Sequence, residues 1–283
     1  MSIPKQAIAD SFSKAAISYD DAAFLQKEVA SRLLERLEIM NVAPTNILDA
    51  GCGTGHCSRI LNKRFSKAKT FGVDIAQGMI EYAKTQNSFF NKVDYQVADL
   101  EQLPFADNSF ELVFSNLTMQ WLISSKTVFQ ELNRVLKPGG LLIFSTLGPD
   151  TLIELKESWQ KVDKDVHVND FIDMHIVGDR VHSAHFENTV MDRDIITMTY
   201  QTMMGLMKDL KAIGAHNLDD KRPRGLMGKQ KFRTLEKTYE SYRWQDGQLP
   251  ATYEVVYGHA WKKHEVPKGD YHTYKVDIQK PSE

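Results

Sequence analysis

Apolar positions along this chain follow two alternating rhythms. Between Asn46 and Leu147 the runs "NILDA", "TFGVD", "VDYQVAD", "FELVFSN" and "GLLIFSTL" have the length and residue types of largely buried strands. The segments between them, such as "IAQGMIEYAK" and "SSKTVFQELNRVL", carry apolar residues at helical spacing instead. Strands that alternate with helices predict an α/β fold, a mostly parallel central sheet with helices on both faces. The clusters Asp107-Asn108-Ser109 and Lys137-Pro138-Gly139-Gly140 are turn formers and place two strand starts.

The flanks are read by the same rule. Phe24, Leu25, Val29, Leu33, Leu34 and Leu37 share one helical stripe, the pattern of an amphipathic helix packing on the sheet, and residues 1–45 are expected to form N-terminal helices that cover the ligand site. Residues 46–147 form the ligand-binding α/β core. Residues 148–188 are polar, weakly periodic and rich in His, the pattern of an inserted helical cap or lid. Residues 189–263 are expected to complete the sheet and the substrate site, with "MMGLMKDLKAIGAHNL" a helix ending near Gly214 and "ATYEVVYGHAWKK" a late strand. Residues 264–283 are a polar tail.

The first strand run leads into "LDAGCGTGHC", where Gly51, Gly53 and Gly55 follow Asp49. Ligands of open α/β sheets bind at the carboxyl ends of strands, so the loop is well placed for a nucleotide-like cofactor. A dinucleotide fingerprint requires glycine three residues after Gly53, where His56 stands, and no Walker lysine follows. The loop is therefore a poor phosphate cradle, and an amino-acid-bearing nucleoside fits better. The second strand run ends at Asp74, which can accept from both ribose hydroxyls. The third ends at Asp99 and Leu100, an acceptor for an adenine amino group and an apolar ring contact. The fourth brings Ser115, Asn116, Gln120 and Trp121 to the sheet rim.

These motifs, with "VDIAQGM", "VADLEQLPF" and "LKPGG" in order, resemble those of class I S-adenosylmethionine-dependent methyltransferases and imply their Rossmann-like fold. "KQAIADSFSKAAISYD", "SNLTMQWL", "LKAIGAHNL" and "GQLPATYEVVYG" are similar to segments of the malonyl-acyl-carrier-protein O-methyltransferases of biotin synthesis. That resemblance implies that Asp49 and Gly51 hold the methionine amino group of S-adenosylmethionine, and that Gly53 and Gly55 admit the cofactor. Asp74 would hold the ribose, Asp99, Leu100 and Met79 would belong to the cofactor site, and Ser115 and Asn116 would lie near the sulfonium. The implied reaction esterifies the free carboxylate of malonyl-acyl-carrier protein, or of malonyl-coenzyme A, in preparation for pimeloyl synthesis.

A carboxylate is already anionic at neutral pH, so this chemistry needs no general base and no metal. The four histidines His167, His175, His182 and His185 match no compact zinc spacing. Candidates to position the substrate anion are Tyr19, Gln120, Trp121, His167 and Asn169 as donors, with Arg180 or Lys211 as cation. The formal charge of −2 over 283 residues gives no general attraction to nucleic acid, and no (D/N)-P-P-(Y/F) run follows the fourth strand. No membrane span or signal peptide is visible, and two cysteines suit a cytoplasmic protein. An acidic carrier protein would instead meet the local run Lys221, Arg222, Arg224, Lys229, Lys231 and Arg233. A small-molecule methyltransferase of the quinone or aconitate type shares every cofactor motif, and a non-catalytic cofactor-binding scaffold is the alternative from another class.

Overall fold

A computed structural model describes residues 4–88, 92–122, 125, 127–214 and 228–264. Two N-terminal helices, α1 (Lys5–Ala22) and α2 (Phe24–Glu38), meet at Ala23. The alternating core follows as β1 (Asn46–Ala50), α3 (His56–Arg64), β2 (Lys69–Asp74), α4 (Gln77–Thr85), β3 (Asp94–Val97), β4 (Phe110–Ser115), α5 (Val128–Val135) and β5 (Leu136–Leu147). The rest comprises α6 (Ile153–Gln160), α7 (Met174–Ser183), β6 (Phe186–Tyr200), α8 (Met203–Ala212), α9 (Lys229–Tyr239) and β7 (Leu249–Lys262).

The seven strands lie in the order β3-β2-β1-β4-β5-β7-β6. β1 to β5 are mutually parallel, and β7 runs antiparallel to both β5 and β6. Successive residues of a strand face opposite sides, and here both sides are covered, which is why the core strands read as continuous apolar runs. Ile47, Leu112 and Ile143 pack with Val29, Leu33 and Leu37 of α2 on one side. Leu48, Val113 and Phe144 pack with Leu132 of α5 and Val181 of α7 on the other. The chain winds outward from β1 to β3 and then returns to β4, so the order reverses between β1 and β4. This switch point opens the crevice in which the site lies.

Two expectations are corrected, and one element was not anticipated. Lys137 to Gly140 form no separate turn before a strand but belong to β5, which pairs with β4 from Leu136 onward. The turn chemistry is absorbed as an irregularity: the register slips between Phe110 and Leu112, and Gly139 takes φ +75°. The expected cap at 148–188 differs too, because Val177 and Val181 of α7 are buried against the sheet and β6 already starts at Phe186. Finally, the long strand β6 was not legible in sequence. It is an edge strand whose middle carries Asp192, Arg193 and Asp194, and such charges both guard an exposed edge and erase its apolar alternation.

Candidate active site

The glycine loop after β1 is built by backbone geometry. The N–H groups of Gly51 and Cys52 both donate to the carbonyl of Val73 at the end of β2, at 2.8 and 2.9 Å. Gly51, Gly53 and Gly55 all have positive φ, at 80°, 51° and 78°. A Cβ at Gly51 would lie 2.2 Å from the Thr118 hydroxyl oxygen, and one at Gly55 would lie 2.3 Å from that of Tyr95. At Gly53 it would meet no atom within 4 Å. Two glycines thus serve packing, and the third keeps a space open.

Acidic groups surround that space. Asp74 accepts from the N–H of Gly53 through Oδ2 (2.9 Å) and from that of Ala76 through Oδ1 (2.8 Å). Burial raises its pKa, against those N–H groups. Asp49 is 1% exposed and accepts from the Ser58 hydroxyl at 2.5 Å. Burial lifts its pKa to about 7, opposed by Ser58 and reinforced by Asp74. Asp99 accepts from the Glu101 N–H through Oδ1, and its Oδ2 meets the Lys5 ammonium at 2.5 Å.

Two adjoining cavities receive these groups. The first, about 690 Å³ counted to its open mouth, is lined among others by Gly53, Asp74, Met79, Asp99, Leu100 and Trp121. The second, about 450 Å³, is lined by Asp49, Thr54, Asp20 and Lys27. Tyr19, Gly51, Gly53 and Asn116 line both and mark their junction. Burial and the neighbouring Asp74 push the Tyr19 phenol far above its usual range, so it stays a neutral donor. Phe12 meets Trp121 edge to face, with centroids 5.4 Å apart, and closes an apolar wall.

The remaining sequence candidates, Asn116 apart, lie outside both cavities. Ser115 is fully buried and donates to the Ala50 carbonyl at 2.6 Å, bracing β4 against β1. Asn116 lines the cavities, but its amide donates to Gln26 of α2 and its oxygen accepts from Ser145 of β5, so it is fixed at both ends. Gln120 donates to the Leu117 carbonyl, while its own oxygen is buried without a partner. His167 stacks on Trp159 at 3.4 Å and bonds Asp163, and Lys211 is exposed on α8. His167, Asn169, Arg180 and Lys211 line neither cavity. Lys221, Arg222 and Arg224 lie outside the described residues. Conversely, the reading of the sequence did not single out Lys5, Ile8 and Phe12, which line the first cavity from α1. Their spacing of three and four residues was the available signal.

Known proteins agree with this architecture. A methyltransferase domain family matches residues 48–144. The malonyl-(acyl-carrier protein) O-methyltransferase of Gallionella capsiferriformans is 48% identical over 266 residues, spanning 92% of this chain and 91% of that protein. Its counterpart from Legionella pneumophila is 42% identical over 255 residues and 90% of each chain.

The chain belongs to the malonyl-(acyl-carrier protein) O-methyltransferase family.

As a member of this family it is an S-adenosylmethionine-dependent methyltransferase of the Rossmann-like kind. Solved structures support the fold at lower identity. YcgJ from Bacillus subtilis aligns with TM-score 0.58 and 15% identity over 82% of this chain and 98% of that one. Phosphoethanolamine N-methyltransferase 2 from Haemonchus contortus, solved with S-adenosyl-L-methionine, aligns with TM-score 0.54 and 18% identity over 89% and 57%. The polar lining suits the family's cofactor: Asp49, Asp74 and Asp99 offer acceptors, and ribose hydroxyls, an amine and an ammonium are all donors. The space beside Gly53 leaves the backbone of the loop open to the cavities.

Proposed function

We propose that this chain transfers a methyl group from S-adenosylmethionine to the free carboxylate of malonyl-acyl-carrier protein, or of malonyl-coenzyme A in its place. The observation that carries the reading is the convergence of Asp49, Asp74 and Asp99, from three successive strand ends, on two joined cavities in a chain of this family. Asp74 would hold the ribose, Asp99 and Leu100 the adenine, Met79 would pack in the same cavity, and Asp49 with the Gly51 backbone would hold the amino acid end. The cofactor supplies an electrophilic methyl group on a positively charged sulfur.

The protein's own work is positioning and drying. The substrate oxygen is ionised at neutral pH, so no side chain has to remove a proton. Tyr19 stands at the junction of the cavities as a protonated donor and is the first candidate to orient the carboxylate. Phe12 and Trp121 would keep water away from the anion, which makes it a better nucleophile. Asn116, locked between α2 and β5, would hold the wall rigid. Esterification removes the negative charge of the malonyl end, and an apolar elongation pocket can then accept it on the route to pimeloyl groups and biotin.

For the acidic carrier, support comes from α9. Lys229, Arg233 and Lys237 recur every four residues on its exposed surface, whereas Lys231 lies on another face of the helix and binds Asp163 at 2.8 Å. No described helix is long and apolar enough to cross a membrane. Both cysteines are free and buried, as suits a reducing cytoplasm.

The test is mass spectrometry of malonyl-acyl-carrier protein incubated with the chain and S-adenosylmethionine. One added methyl group, absent with the Asp74→Ala variant, is expected. No added mass with either thioester would overturn the proposal.

A further inference from the structure

Helix α1 forms one wall of the cofactor cavity, and its inner residues Lys5, Ile8, Phe12 and Tyr19 follow a single helical face. Polar contacts fix this wall at three levels. Near its end, Asp20 accepts from the Thr54 hydroxyl of the glycine loop at 2.7 Å. In the middle, Ser13 accepts from the Gly78 N–H of α4 at 3.1 Å. At the start, the Lys5 ammonium binds both Asp99, at 2.5 Å, and Glu101. The first two contacts are neutral or singly charged hydrogen bonds. Among the described residues Lys5 alone ties the wall to the adenine end by full charges, and it does so through the carboxylate that this reading assigns to the adenine.

We infer that Lys5 is a positioning residue that latches α1 over the adenine end of the site and controls how fast the cofactor and its demethylated product exchange. The inference rests on reading the first cavity as the S-adenosylmethionine site. Two consequences give it content. Lys5 holds one oxygen of Asp99 while the Glu101 N–H holds the other, so the carboxylate is oriented before any ligand arrives. In addition, the pair is partly solvated, with side-chain exposures of 41% for Lys5, 32% for Asp99 and 25% for Glu101. A latch of this exposure is weak enough to open in every turnover and is screened by salt. Burial lowers the Lys5 pKa somewhat, and the two carboxylates more than reverse this, so the ammonium persists throughout the neutral range.

The experiment measures the release of S-adenosylhomocysteine by stopped-flow displacement from the full chain, at low and high salt, alongside hydrogen exchange of the α1 amides without ligand. Lys5→Met keeps most of the aliphatic stem and removes the charge. It is expected to release product roughly threefold to tenfold faster, the scale of a partly exposed ion pair with two carboxylates. Its release should no longer depend on salt, and its α1 amides should exchange faster. Lys5→Arg should restore slow, salt-sensitive release. Equal rates for Lys5→Met and the unaltered chain would overturn the latch. Fast release by Lys5→Arg would do the same, since it would show that the charge is not what holds α1. If calorimetry detects no binding of S-adenosylmethionine by the unaltered chain, the reading of the cavity falls together with the latch. If it detects normal binding and only the Lys5 results fail, the cavity reading stands alone.

Discussion

The backbone N–H of Gly53, in the loop after β1, donates to Oδ2 of Asp74, the last residue of β2, across 2.9 Å. The acid assigned to the ribose is therefore also the acid that sets the glycine loop. Asp74→Ala removes both functions, and charge-assisted hydrogen bonds of this kind contribute about 1.5–3 kcal/mol each. Calorimetry should show S-adenosylmethionine affinity reduced on the order of a hundredfold or more. An unchanged dissociation constant would remove Asp74 from the site.

Gly51, Gly53 and Gly55 should respond differently to alanine. A left-handed backbone costs an alanine about 1–2 kcal/mol at each position. At Gly51 and Gly55 the added Cβ also collides with Thr118 and Tyr95, whereas at Gly53 it enters free space. Gly51→Ala and Gly55→Ala should therefore lower the melting temperature clearly more than Gly53→Ala. Gly53→Ala should lose cofactor affinity out of proportion to its small thermal effect. Parallel melting and binding curves for the three variants decide this.

Asp49 gives a pH dependence of known sign. Its carboxyl has a pKa near 7 in the fold, raised by burial from an ordinary value of 3.8, so the folded state holds a proton that the unfolded state has released. Its contribution to stability accordingly falls as pH rises between these two values. Asp49→Asn should melt at or above the unaltered chain at pH 8, with the difference shrinking toward pH 4, yet bind S-adenosylmethionine more weakly. A melting temperature below the unaltered chain at pH 8 would contradict this account.

Asp163 has the opposite sign. Burial would raise its pKa, but Lys231 and His167 outweigh it and hold the carboxyl at about 2. The stabilisation it provides is present above its ordinary value of 3.8 and is lost as pH falls toward 2. Asp163→Asn should destabilise the α6–α9 corner at pH 7 and make no difference near pH 2, as read by thermal melts across that range.

The exposed cations of α9 give the fifth expectation. Charge reversal at Lys229, Arg233 and Lys237 should raise KM for malonyl-acyl-carrier protein at low salt while leaving kcat and the KM for malonyl-coenzyme A unchanged. The effect should fade at high salt. A KM that stays constant with the carrier substrate would take α9 out of the docking surface.

The sequence by itself determined the alternating α/β core and the cofactor motif, because both rest on local rules. Strand and helix periods are visible within a few residues, and the three glycines carry positive φ wherever the chain is then led. The spacing of Asp49, Asp74 and Asp99 at successive strand ends was legible for the same reason. Only the tertiary structure decided which neighbours these residues meet. The Ser115 hydroxyl could have faced a ligand, yet it binds Ala50 because β4 pairs directly with β1. His167 looked like a site residue, but α6 supplies Trp159 for it to stack on, away from both cavities. The spacing of Lys5, Ile8 and Phe12 marks one helical face, but the partner of Lys5 was not legible, since it is Asp99, 94 residues away. β6 hid because an edge strand has one free side and tolerates charge there. Local periodicity fixes elements, whereas partners separated by dozens of residues are chosen by packing, which no short window of sequence contains.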